Sequence, residues 1–374
     1  MKPRLSLYVE LLRLSAAAGV FLFHAGRFLL PWLPTTWIDH GAECVAVFFV
    51  ISGFVIRHVS VSREVGAAAY ASARLARLYS VTLVALVVTL AADGVGRHVN
   101  PDAYLGQRWF NPNVDLSDLL AYLTFTNEAW LSHGIFGSDE PYWSLGFEAP
   151  YYLAFGLAAY LRGRSRYVAL AVWALVVGPK ILIYLPLWLV GVATRDILAR
   201  RAAARSAPRP WLGGLVVVAS FAAYLVLKYG AVGHDRWLMF AAPSVLDLVC
   251  GATYFLTVGL IVAANLLGFD LAAGDGPVRA RRSAAAIRWL AGGSFTLYLV
   301  HEPLLALVRA MDPGVVRNPV EGLLAVALIL AASFALAEIG ERRKVLFRRV
   351  TDQVIASLGA VVIEIAGSDR VLRR

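Results

Sequence analysis

The stretch "RLSAAAGVFLFHAG", residues 13–26, is apolar enough to lie in a bilayer, yet it opens on Arg13 and carries His24 near its end. The apolar run continues from Leu11 to Leu30, long enough for a membrane-spanning helix. No small-x-small cleavage site marks it as a removable leader. Eleven residues turn an α-helix through roughly 1100°, about 20° from three full turns, so Arg13 and His24 share one face about 16 Å apart along the axis. The competing reading of His24 is a hydrogen-bonded packing histidine, but ionisable groups inside a span are costly and usually functional.

The rest of the chain is of the same kind. Of its 374 residues 59% are hydrophobic and 16% charged, and the mean hydropathy is +0.66, far outside the soluble range. Apolar runs predict ten spans, near 11–30, 41–56, 75–92, 143–161, 167–182, 184–199, 212–229, 245–268, 288–309 and 319–339. Alternating the loops places all but eight of the 35 Lys and Arg on the side of the two termini, which the positive-inside rule names cytoplasmic. The expected fold is an all-α polytopic membrane bundle of about ten transmembrane helices with both termini cytoplasmic. The net charge of +10 is spread over short loops and gives no support to nucleic-acid binding. Cys44 and Cys250 have no metal-like spacing and read as packing residues; no metal is expected.

Two segments stand outside this pattern. Residues 117–131, "SDLLAYLTFTNEAWL", read as a re-entrant or surface helix, because counting them as a span would move the basic loop "RGRSR" outside. They belong to a long outer loop, 93–142, whose aromatics Tyr104, Trp109, Phe110 and Trp130 suggest a cover over an outward-facing cleft. After Glu341 the chain is basic, with Val350, Val354, Leu358, Val361 and Ile365 at helical spacing, which predicts an interfacial cytoplasmic helix in a tail of residues 341–374, with subunit contact as the weaker alternative.

Counting rises along the spans puts His24, Glu148 and His301 about 9, 8 and 12 Å below the outer surface, in one layer. At the opposite level, Arg74 and Arg77 are three apart at a helix start and join Arg13 as a basic mouth. Ordinary positive-inside anchoring is the bland account of these arginines. Guanidinium groups at one end and a histidine at the other suit a donor with a phosphate-bearing head and a thin arm, the shape of acyl coenzyme A. Ser52 and Gly53 in "VISGFVI" read as small residues that permit close helix packing, with no base expected near Ser52.

Five ordered stretches resemble the integral-membrane acyltransferase 3 family: "ELLRLSAAAGVFLFHAG" (10–26), "VFFVISGFVI" (47–56), "RLAR" (74–77), "YWSLGFEAPYYL" (142–153) and "SFTLYLVHEPLL" (294–305). The family includes bacterial O-acetyltransferases of surface polysaccharides and macrolide acyltransferases. The resemblance implies a multi-pass inner or plasma membrane enzyme, with residues 1–340 as the transferase domain. It would move an acyl group, usually acetyl, from cytoplasmic acyl-CoA to a hydroxyl of a carbohydrate-containing acceptor such as a cell-envelope polysaccharide, glycolipid or macrolide. His24 would be the catalytic histidine, and Arg13, Arg74 and Arg77 would hold the donor. The sequence departs from the family pattern at Leu14, usually Gly, and at Glu148-Ala149, often two acids. The chain ends soon after the last expected span, so a second transfer step would fall to a partner.

On this reading Glu148 orients the His24 ring or stabilises its imidazolium, and an acyl-histidine relay is the alternative route. Glu148 paired with an arginine such as Arg27 is the plainer account. His301 either faces the acceptor cleft or satisfies a carbonyl freed by Pro303. Trp143 is a candidate for the acceptor side, with an aromatic-belt position as its rival. A different class, an exporter of lipid-linked sugars with His and Glu relaying protons, stays alongside; no two-half repeat is visible in its favour.

Overall fold

The computed structural model describes residues 1–62, 66–204, 207–230, 244–274, 276–278 and 280–371, with side chains as far as residue 357. Among these residues helices are the regular structure, as expected where backbone groups inside lipid must pair within their own segment. In chain order they are α1 (Pro3–Phe28), α2 (Thr35–Ile38), α3 (Gly41–Ser62), α4 (Ala67–Val99), α5 (Leu116–Thr124), α6 (Leu145–Tyr160), α7 (Gly163–Ala203), α8 (Pro210–Gly230), α9 (Val245–Ala273), α10 (Arg281–Ala291), α11 (Ser294–Met311), α12 (Pro319–Ile339) and α13 (Lys344–Val371). Seven helical stretches are long and apolar enough to cross a membrane, or eight when α10 and α11, bent by 51°, count as one span. The protein is a multi-pass membrane protein.

Three expected spans take a different form. The segment near 143–161 is α6, whose 16 residues reach about 24 Å at 1.5 Å each, short of a full hydrocarbon core. The pair 167–182 and 184–199 is the single element α7, broken at Gly178. There φ is +79°, a conformation that Gly adopts at no steric cost, and Pro179 disfavours helical geometry in the residue before it. The break therefore falls at Gly178-Pro179, ahead of the expected turn near residue 183.

The segment 117–131 contains α5, nine residues long, opened by a capping box in which Asp115 and Asp118 each accept from the other's backbone N–H. At about 14 Å it is too short to span, as a surface or re-entrant helix should be. The loop after it is tied down: the Trp130 N–H donates to the Val177 carbonyl at the α7 break (2.8 Å), and Lys180 pairs with the fully buried Glu128, which also meets His133 at 2.8 Å.

Helices α3 and α7 pack at close range. A Cβ on Gly53 would run into the Trp188 carbonyl, and one on Gly191 into the Val50 carbonyl, which is the small-residue packing expected at Gly53. The tail helix α13 lies along α4, where Ser72 and Thr351 hydroxyls meet at 2.9 Å. Its Val345, Leu346, Val350 and Val354 are exposed; the side chains of Leu358, Val361 and Ile365, the rest of the face expected to be interfacial, lie outside the described residues.

Candidate active site

Helix α1 carries one half of the site on one face. Near its middle Arg13 binds Glu10 at 2.9 Å and donates to the carbonyl of Ala291, the last residue of α10. Near its end His24, only 3% exposed, places Nδ1 3.1 Å from Oε2 of Glu302 on α11. Both helices advance eleven residues between these contacts, so α1 and the bent α10–α11 pair run side by side in the same direction. The single-face arithmetic for Arg13 and His24 holds, and the imidazole points into protein, away from lipid.

At the Arg13 end a narrow cavity of about 60 Å³ is lined by Arg13, Arg74, Arg77, Ser52, Glu148 and Tyr298, among others. The three arginines named from the sequence thus meet. Arg74 lies 5.5 Å over Tyr70 and 5.9 Å over Tyr152, while Arg77 lies 5.2 Å over Phe295. Phe295 and Thr296 open α11, and their backbone N–H groups donate to the buried Glu341 carboxylate at 3.1 and 3.0 Å. A carboxylate there satisfies orphan amides and the positive helix end together.

Glu148 sits in this cavity. It accepts from Ser52 Oγ at 2.8 Å and from the Tyr152 hydroxyl, so the serine that was expected to lack a base has a carboxylate beside it. The acid in contact with His24 is instead Glu302. Trp143 is 5% exposed and packs its ring against Phe49 and Phe147, at 6.5 and 5.7 Å, which makes it a core residue rather than a lipid-facing belt residue.

At the His24 end the buried His24, His301 and Glu302 form a cluster with Glu140. The His24 and His301 rings are 5.0 Å apart. His301 Nδ1 donates to the Leu297 carbonyl at 3.0 Å, one turn back, and not to Leu299, the carbonyl that Pro303 leaves without a helical partner. With Nδ1 so engaged, His301 Nε2 carries the lone pair. That nitrogen and both Glu302 oxygens are buried without a well-aligned hydrogen bond among the described residues. Glu140 enters from the 3₁₀ turn Glu140–Ser144 and faces Glu302; burial, reinforced by Glu302, pushes its carboxyl up to about 7.

Tyr298 and Ser144 join the two ends. Both line the arginine cavity, Tyr298 also lies 6.3 Å from the His301 ring, and Ser144 closes the turn that begins at Glu140. Ligand atoms of His24, His301 and Glu302 fall within 4.8 Å of one another, so this is the set among the described residues that could hold a metal ion. Glu302 and Glu140 escaped the sequence reading. Glu302 was available, since the cost of an ionisable group in a span applies to it as much as to its neighbour His301. Glu140 lies outside every expected span, and only the fold brings it in.

The model of a family described as an acyltransferase domain matches residues 6–338. No curated protein and no solved structure matches.

Proposed function

Because the chain belongs to this acyltransferase family, across nearly the whole of its length, we propose that it transfers an acyl group, in the commonest family case acetyl, from acyl-CoA to a hydroxyl of a carbohydrate-containing acceptor. One observation carries the reading: a single face of α1 holds a guanidinium cavity at one end and a buried imidazole–carboxylate pair at the other. The donor's phosphates would meet Arg13, Arg74 and Arg77. A cavity of about 60 Å³ holds a couple of water molecules, so the pantetheine arm enters only as the surrounding helices part.

Glu302 would hold the Nδ1 proton of His24 and leave Nε2 as the base, as a carboxylate does for the histidine of a catalytic triad. Nε2 takes the acceptor's hydroxyl proton, the alkoxide oxygen bonds to the thioester carbonyl carbon, the C–S bond breaks, and the coenzyme A thiolate regains the proton from the imidazolium. The ester and free thiol balance the reactants. An acyl-histidine relay divides the same exchange into two displacements at Nε2. Glu148 would act on the donor side, with Ser52 and Tyr152. His301 Nε2 lies in the same cluster and would bind the acceptor. This chemistry needs no metal, and a chelator is expected to leave turnover unchanged.

The membrane arrangement that fits is ten crossings with both termini cytoplasmic, in the cell's inner or plasma membrane. The short α6 and the two arms of α7 would each count as one crossing, and the arginine cavity would face the cytoplasm. The test is turnover in lipid nanodiscs: acetyl-CoA with candidate glycans, thiol release and acylated product measured together. Wild type should give both and His24→Ala neither. Equal thiol release from the two proteins, with sugar transport by reconstituted vesicles, would leave the exporter reading in place.

A further inference from the structure

On the face opposite the termini, cations are scarce. Eight Lys and Arg fall there, namely Arg27, Arg97, Arg108, Lys180, Lys228, Arg236, Arg309 and Arg317. Lys180 and Lys228 are buried in pairs with Glu128 and Glu43, Arg97 lies over Phe110, and Arg236 is outside the described residues. Three of the remaining four, Arg27, Arg108 and Arg309, converge on one cavity of about 600 Å³, much the larger of the two described so far.

That cavity also presents Asn100, Gln107 and Trp109, and its one acidic side chain is Asp102. None of the three arginines has a carboxylate within ion-pair distance among the described residues; Arg309 donates to the Pro313 carbonyl at 3.0 Å and Arg27 lies 5.5 Å over the Phe23 ring, contacts that leave their charge without a direct anionic partner. Trp109 is packed at 4.9 Å against Phe28, giving a fixed aromatic wall beside the charges. Arg27 and Phe28 follow His24 by three and four residues, about one turn of α1. The cavity therefore lies one helical turn beyond the buried His24 cluster, as a forecourt to it.

We infer that this forecourt binds the acceptor and selects an anionic sugar, one that carries a carboxylate or phosphate, through Arg27, Arg108 and Arg309. The forked guanidinium group matches both anions in two-point hydrogen bonding, and the Trp109 wall suits the apolar face of a sugar ring. A neutral sugar would leave a net positive forecourt unbalanced. The inference rests on the acyl-transfer reading for the role of the ligand, but its test does not pass through the chemistry.

Saturation-transfer NMR on the protein in phosphatidylcholine nanodiscs reports binding alone. The probes are methyl β-D-glucuronide, glucose 1-phosphate and neutral methyl β-D-glucoside. The expected result is at least about threefold stronger transfer to one of the anionic sugars than to the glucoside. The preference should vanish in Arg108→Gln/Arg309→Gln and persist in Arg317→Gln, an exposed arginine outside this cavity. Equal transfer to all three, no transfer to any, or a preference that the double variant keeps would overturn the inference. So would loss of the anionic-sugar signal when phosphatidylglycerol replaces the zwitterionic lipid, since the arginines would then serve a lipid headgroup. If the anionic preference holds while the turnover test fails, the transfer reading falls and the anion site stands.

Discussion

At the scale of single residues, the roles proposed for His24 and Glu302 can be separated. Glu302→Gln keeps the shape but turns a carboxylate acceptor into an amide; kcat should fall on the order of 10²- to 10⁴-fold, with coenzyme A affinity unchanged by a binding assay. Glu148→Gln should do the reverse, weakening donor affinity through the cavity it shares with Arg74 and Arg77. Glu140 supplies a stability signature. Its folded pKa, about 7, lies above the ordinary 4.5, so the stability it contributes is fully present below pH 4.5 and lost as pH rises through 7. Melting temperature measured from pH 4.5 to 7.5 should therefore fall less steeply in Glu140→Gln than in wild type. The Arg13–His24 pairing was legible because helix periodicity fixes it without any tertiary contact. The His24–Glu302 contact was not, because it joins positions 278 residues apart through packing of α1 on α11.

At the scale of elements, α7 shows how local chemistry places a break. Its two arms were legible as two apolar runs; the hinge was readable in "VVGPK", where Gly178 precedes Pro179, but hydropathy alone put it a few residues late. A Cβ at residue 178 would come within 2.6 Å of the Trp130 Cα and require positive φ in a residue that resists it. Gly178→Ala should lower stability by more than about 1 kcal/mol, seen as a lower melting temperature and faster proteolysis of the 125–135 loop. The ion pair that ties the 125–135 loop to α7 was not legible, since neither Glu128 nor Lys180 lies in a recognisable motif.

At the scale of the whole molecule, orientation is the testable property. With Cys44 and Cys250 replaced, Ser117→Cys should react with a membrane-impermeant maleimide on intact cells, and Ser62→Cys only after permeabilisation. The reverse pattern would invert the bundle and put the arginine cavity on the wrong side for a cytoplasmic donor. Membrane class and helical bundle were plain from composition, because water-to-lipid transfer dominates everything else in such a chain. The span count was harder to read, because α6 is short for a bilayer and α7 carries two apolar runs in one element.

The buried pair between Glu128 and Lys180 also bears on how the chain is made. The two residues are 52 positions apart, and the carboxylate leaves the ribosome first. Until α7 has been threaded into the bilayer, Glu128 lacks Lys180 and has only His133 beside it, so the cost of burying a carboxylate without its ammonium partner favours keeping it in water. The outer loop can settle only after translation has passed α7, so a nascent chain stalled before Lys180 would keep that segment open to solvent.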